Sequence, residues 1–234
     1  MSIHTFMKRS LYALAVSSLL TLPCLADEST ILFDGKSTDQ WEFRPGGWVI
    51  EDGALTCRME TVTQKNGQAK KRGMGYIWTK QEFANFELTL QYKLSESANS
   101  GVFFRTDPEN PVQGGFEIQL LDDEGFQKAK GPKDGKNLNG AFYDSLVASA
   151  KPGKPIGSWN DFRLICNGPA IQVEINGVKV IDANVDDWDT AGQNPDGTKN
   201  KFKTALKDLP RTGRIGFQNH GQVVWFRNVK IQPK

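Results

Sequence analysis

Histidine is nearly absent from this chain. Its 234 residues include only two, His4 and His220, and only three cysteines, Cys24, Cys57 and Cys166. No Cys-x-x-Cys and no Cys/His cluster occurs, which argues against a structural zinc site. Neither sign of charge dominates: 29 basic residues face 27 acidic ones, so nothing steers the chain toward nucleic acid or an anionic membrane. Sustained helical periodicity, internal repeats and a domain-splitting linker are also missing, which excludes helical bundles and repeat arrays.

The one long apolar run lies at the N-terminus. Residues 1–26 read as a secretory signal: Lys8 and Arg9 form the basic start, 11–22 the apolar stretch, and Cys24 and Ala26 the small residues at the cleavage positions. Cleavage after Ala26 exports the protein to the periplasm or beyond. A lipid anchor on Cys24 fits less well, because Pro23 stands where such signals carry Gly or Ala. Removing 26 of 234 residues leaves 208, with 27 basic against 27 acidic side chains and no transmembrane segment. All-β sandwiches of ~200 residues commonly form a single domain, and residues 27–234 are expected to do so. Cys57 and Cys166 remain, as a disulfide or as two buried thiols.

What is present is strand alternation. In Phe116-Glu117-Ile118-Gln119-Leu120 apolar and polar residues alternate, so one face carries core and the other an acid and an amide. Glu and Gln are poor strand formers, and such a face calls for solvent or a ligand. The stretch 83–93 alternates in the same way, with Phe86, Leu88, Leu90 and Tyr92 against Glu87, Thr89, Gln91 and Lys93. Asp52-Gly53 and Asn176-Gly177 are two-residue hairpin turns. Many short strands and little else predict a two-sheet antiparallel β-sandwich, a jelly roll. Between Asp123 and Ser158 lies a long loop containing Gly140-Ala141-Phe142-Tyr143, and a loop that long is expected to close over something. A second loop spans 186–210, and Lys65 to Arg72 reads as a solvated basic loop.

Three polar sets on strands are candidates for a site: Arg105, then Glu117 with Gln119, then Gln218 with His220. In the last strand Gly216, Gln218 and His220 share one face. Histidine, with a reference pKa near ~6.5, is suited to moving protons near neutrality. Each candidate has a plainer reading beside the functional one. His220 then caps a turn before Gly221, Arg105 pairs with Glu117, and Asp122 and Asp123 open a solvated loop.

Taken together, Asn99-Ser100-Gly101-Val102-Phe103-Phe104-Arg105, the 115–123 strand, Gly140-Ala141-Phe142-Tyr143, Trp159-Asn160 with Arg163, and Gly213 to His220 with Phe226-Arg227-Asn228 resemble the 3-keto-disaccharide hydrolase domain family. Leu32-Phe33-Asp34-Gly35 with Trp41 resembles that family's start, and the resemblance runs from Ile31 to Ile231. It implies a concanavalin A-like jelly roll that cleaves glycosides of sugars oxidised at C3. A C3 ketone acidifies the C2 proton, so a base can remove it and the C1 aglycone leaves; water then adds. On this resemblance Glu117 and His220 are the candidate proton-transfer residues, and Arg105, Gln119, Asp122, Tyr143 and Gln218 the candidate sugar-binding residues. A divalent cation on Glu117 and Asp122 would be an alternative stabiliser of the enolate.

Two other readings use the same residues. Glu117-Ile118-Gln119-Leu120-Leu121-Asp122 resembles the Glu-x-Asp-x-x-Glu strand of laminarinase-type glucanases, if a bulge brings Glu117 and Asp122 to one face. That reading leaves His220 without a role. A noncatalytic carbohydrate-binding module would use exposed tryptophan, and Trp188, in a polar run, is the expected exposed one.

Overall fold

A computed structural model describes Met1 and residues 29–234. The expected secretory signal and Cys24 fall among residues 2–28, outside the described residues. In chain order the strands are β1 (Thr30–Phe33), β2 (Trp41–Phe43), β3 (Trp48–Glu51), β4 (Ala54–Cys57) and β5 (Met59–Thr63). Then come β6 (Ala69–Gly73), β7 (Ile77–Phe83), β8 (Phe86–Leu94), β9 (Asn99–Thr106) and β10 (Phe116–Leu121). Helix α1 (Asp123–Lys130) precedes β11 (Asn160–Asn167), β12 (Ala170–Ile175), β13 (Val178–Asn184), β14 (Gly213–Phe217) and β15 (Val224–Pro233).

Two antiparallel sheets face each other. One runs β13-β12-β11-β8-β15-β4-β3 with β1 also on β15; the other runs β10-β9-β14-β7-β2. β8 shows why they pack: Phe86, Leu88, Leu90, Tyr92 and Leu94 are buried while the residues between them are half-buried. Across the interior, Phe217 of β14 stacks on Phe226 of β15 with ring centroids 4.0 Å apart. Both predicted hairpins form, with positive φ at Asp52, Gly53, Asn176 and Gly177. The jelly-roll expectation is met.

Several local expectations are corrected. The stretch 83–93 is not one strand: Ala84 and Asn85 form a turn between β7 and β8, which belong to different sheets. The basic segment from Lys65 is exposed, yet most of it is the turn and second strand of a β5–β6 hairpin, braced where Arg44 and Arg72 both bind Glu60. Of the two states left open for Cys57 and Cys166, the structure has the free, buried thiols, and burial pushes them up to about 11 and about 12. Trp188 is buried rather than exposed: Nε1 donates to Asn194 Oδ1 at 2.9 Å and its ring packs against Phe142.

Candidate active site

The outer face of the five-stranded sheet carries the site, and it begins with a missing side chain. Gly101 of β9 lies opposite Gln119 in the β9–β10 ladder, and its carbonyl accepts from the Gln218 N–H at 3.2 Å. A Cβ on Gly101 would stand 2.7 Å from Glu117 Oε1 and 3.1 Å from Gln218 Cδ. Two side chains therefore converge over a bare Cα. Gly101→Ala is expected to push them apart and lower kcat about 100-fold, with KM changed far less, since a 1 Å displacement has effects of that size. Steady-state kinetics alongside an unchanged circular dichroism spectrum would check it.

Glu117 is only 8% exposed. Burial raises its carboxyl to about 7, against the opposing pull of Lys201, a hydrogen bond from Gln218, and Lys133. Gln218 passes the contact on, its Oε1 lying 3.0 Å from His220 Nε2. Because an amide oxygen only accepts, the imidazole proton sits on Nε2 and Nδ1 is left bare. Partial burial, then Lys133 and Lys201, hold His220 below its usual value, so it is neutral at neutral pH. The result is a polarised row from imidazole through amide to carboxylate.

Aromatic rings floor the space beside this row. Trp78 of β7 stacks on Phe103 at 5.3 Å, and Tyr76 meets Phe103 at 5.7 Å and the edge of His220 at 5.8 Å. Gly216 permits this, since a Cβ there would lie 2.2 Å from the Trp78 ring. The floor continues into a cleft of about 590 Å³ whose walls include Arg44, Asp107 and Arg214. A half-exposed aromatic face beside polar groups suits the apolar face of a sugar ring.

Of the residues named from sequence, Glu117, Tyr143, Gln218 and His220 come together. Tyr143 arrives because residues 140–143 run along the free edge of β10, with the Tyr143 N–H donating to the Glu117 carbonyl at 3.0 Å. Gln119 shares Glu117's face, but its amide donates to Asn99 Oδ1 at 2.6 Å and to the Ser100 carbonyl at 3.0 Å. Its amide nitrogen holds β9.

Arg105 and Asp122 are corrections. The β9–β14 register jumps between Arg214 and Gly216, so β9 bulges, and Arg105 takes a φ of 49°. The bulge turns its side chain away from Glu117. Its guanidinium donates to the Ala84 carbonyl at 2.7 Å, the Gly168 carbonyl at 2.8 Å and Asn85 Oδ1 at 3.2 Å. Among the described residues it has no carboxylate partner. Asp122 caps α1, with Oδ1 accepting from Gly125 N–H at 3.2 Å and Oδ2 from Ser97 N–H at 2.7 Å. The β9–β10 ladder is unbroken from Phe116 to Leu121, so no bulge brings Asp122 beside Glu117. Neither the retaining carboxylate pair nor the Glu117/Asp122 cation site fits this arrangement, and no group of three metal-ligating residues occurs among the described residues.

Sequence reading missed Tyr76, Lys133 and Lys201. Burial pulls both lysines below the usual lysine value, with Glu117 opposing; burial and the Glu117 charge push Tyr76 and Tyr143 up. The lysines sit in Gly-, Pro- and Asn-rich loops among other lysines, where no local pattern marks them out.

Residues 28–232 match the 3-keto-alpha-glucoside-1,2-lyase-like domain. The chain belongs to this family. It is similar to a 3-keto-disaccharide hydrolase of Bacteroides thetaiotaomicron, at 28% identity over 249 residues, 96% of this chain and 84% of that protein. A candidate glycosyl hydrolase of Parabacteroides distasonis is 32% identical, with a TM-score of 0.76 across 88% of this chain and 99% of that one. The laminarinase catalytic domain of Thermotoga maritima, 13% identical with a TM-score of 0.54 over 88% of this chain and 97% of its own, shares the fold alone. The 3-keto-alpha-glucoside-1,2-lyase-like domain thus covers β1 to β15 and contains every residue of the site described above.

Proposed function

We propose that the protein is exported and is a glycosidase that cleaves glycosides of C3-oxidised sugars by elimination and hydration. The observation that carries this reading is a single buried carboxyl, Glu117, with an imidazole, an amide and two tyrosines around it, while Asp122, the other half of the carboxylate pair considered from sequence, is turned to the N-terminus of α1. A retaining or inverting glycosidase needs two carboxyl groups flanking the bond. Proton abstraction beside a ketone needs one base matched to the working pH.

Glu117 takes the C2 proton; the C2–H electron pair becomes the C2=C3 bond and the C3 carbonyl becomes an enolate. As the carbonyl re-forms, the pair moves to C1=C2 and the C1–O bond breaks. The aglycone oxygen leaves with its bonding pair and takes the proton back from Glu117. Water then adds: His220 Nδ1 takes a proton from it, the hydroxyl bonds to C1, and the same proton passes to C2. Trp78 and Tyr76 hold the ring, and Tyr143 lies beside Glu117.

The test follows aglycone release from a 3-keto-disaccharide and from the same unoxidised disaccharide, with and without a chelator. Cleavage of the oxidised sugar alone is expected. Its rate should survive the chelator, because a cation held with Asp122 would have to displace two backbone amides. Cleavage of the unoxidised sugar, or saturable binding with no cleavage of either, overturns the reading in favour of an ordinary glucanase or a binding module.

A further inference from the structure

One ammonium group, that of Lys201, reaches the site from a loop without forming a salt bridge among the described residues. The lysines that form ion pairs among the described residues are Lys136, Lys154, Lys179 and Lys234. Lys133 and Lys201 are not among them; their ammoniums rest instead on rings, Lys133 4.6 Å from the Phe126 centroid and Lys201 3.8 Å from that of Tyr143. A ring face attracts a cation without cancelling its charge.

Lys201 is also held in place with unusual completeness for a loop residue. Its N–H donates to Asp144 Oδ2 at 2.8 Å, and its carbonyl accepts from Gln113 Nε2 at 3.1 Å. Two residues on, the Lys203 N–H donates to Gln113 Oε1 at 2.9 Å. Gln113 lies just before β10, and Asp144, at a φ of 58°, directly follows Tyr143. Both fasteners therefore belong to segments beside β10, and the 186–210 loop is pinned to them at Lys201 and Lys203. A surface lysine that only solubilises the protein needs no such fixing.

We propose that Lys201 supplies the cationic donor for the enolate oxygen formed at C3. This rests on the elimination reading above. In that route the C2–H bond breaks, its proton passes to Glu117 and its electrons place a negative charge on the C3 oxygen; the charge is lost again when C1–O breaks. A positive charge facing a transient anion stabilises the transition state more than it stabilises the neutral ketone. That anion is made only during turnover, beside the Lys201 ammonium.

Lys201→Met is expected to lower kcat on a neutral 3-keto-disaccharide about 100-fold, leaving KM within about three-fold. Lys201→Arg, which keeps the charge, should recover a substantial part. With deuterium at C2 the isotope effect on kcat should rise in the Met variant, because proton abstraction becomes more fully rate-limiting. The acidic limb of the pH–rate profile, and the Glu117 carboxyl followed by carbon NMR, should both move to higher pH once Lys201 no longer draws Glu117 down. A change confined to KM, an unaltered isotope effect, or a Glu117 titration that does not move would overturn the assignment. Wild-type protein is assayed in parallel. If it leaves the 3-keto substrate intact, the elimination reading fails and the enolate donor with it; if it cleaves while Lys201→Met keeps full kcat, only the lysine's role fails.

Discussion

Glu117→Gln should reduce kcat on a 3-keto-disaccharide by about 10³-fold or more, since a positioned general base commonly contributes 10²–10⁴. In the wild type, kcat/KM should climb tenfold per pH unit below about 7 and level off above it, as the carboxyl that faces Lys133, Lys201, Tyr76, Tyr143 and His220 ionises. The variant should lack that limb. Stability should change in the opposite direction to activity. The folded-state pKa is raised, so the group's stabilising contribution is fully present below the unfolded value of 4.5 and is lost as pH rises through about 7. Gln carries no charge to bury, so the variant's advantage in urea should grow between those pH values and reach about 3 kcal/mol at pH 8. A variant less stable than wild type at pH 8, or with kcat intact, would show that Glu117 is not a base held in an unfavourable burial.

Arg105→Met should do the reverse, with a large loss of stability and little loss of chemistry. The residue is fully buried, and its guanidinium joins the β7–β8 turn to the β11–β12 turn, that is, one sheet to the other. Removing it leaves two carbonyls and the Asn85 side-chain oxygen without that donor; Asn85 Oδ1 keeps only the Gly168 N–H at 2.9 Å. Unsatisfied buried acceptors are costly at about 1–3 kcal/mol each. A loss of about 3–5 kcal/mol is expected in urea unfolding, or roughly 8–15 °C in Tm. Arg105→Lys should recover little, because one ammonium cannot span three acceptors set by a planar fork. If Arg105→Met instead raised KM and left stability alone, Arg105 would be the sugar ligand that sequence reasoning expected.

Arg105 also marks where sequence reasoning reaches its limit. Strict alternation from Gly101 through Phe103 puts Arg105 on Glu117's face, and the bulge beside Ile215 undoes this. The bulge depends on β9 and β14 pairing across more than a hundred residues, so nothing near position 105 announces it. Asp122 failed for a local reason, because Asp before an acidic first turn is an N-cap signal. Helix α1 is short and has no buried face, so its periodicity was too weak to raise that signal. Trp188 lay in a polar run, yet its burial is decided by Phe142 and Asn194.

The sequence by itself determined the sandwich, the inward faces of β8 and β10, both Gly-containing hairpins, and the family to which the chain belongs. Each is written in spacings of two to ten residues, where side-chain direction follows from backbone geometry alone. Only the tertiary structure decided that Glu117 meets Gln218 and His220 over Gly101, that Arg105 and Asp122 are structural, and that Lys133 and Lys201 enter from two loops. Those groups lie up to 119 residues apart in the chain, from Gly101 to His220. Their meeting, like the shift of the carboxyl to about 7, comes from burial and charge that exist only once the two sheets and their loops have closed.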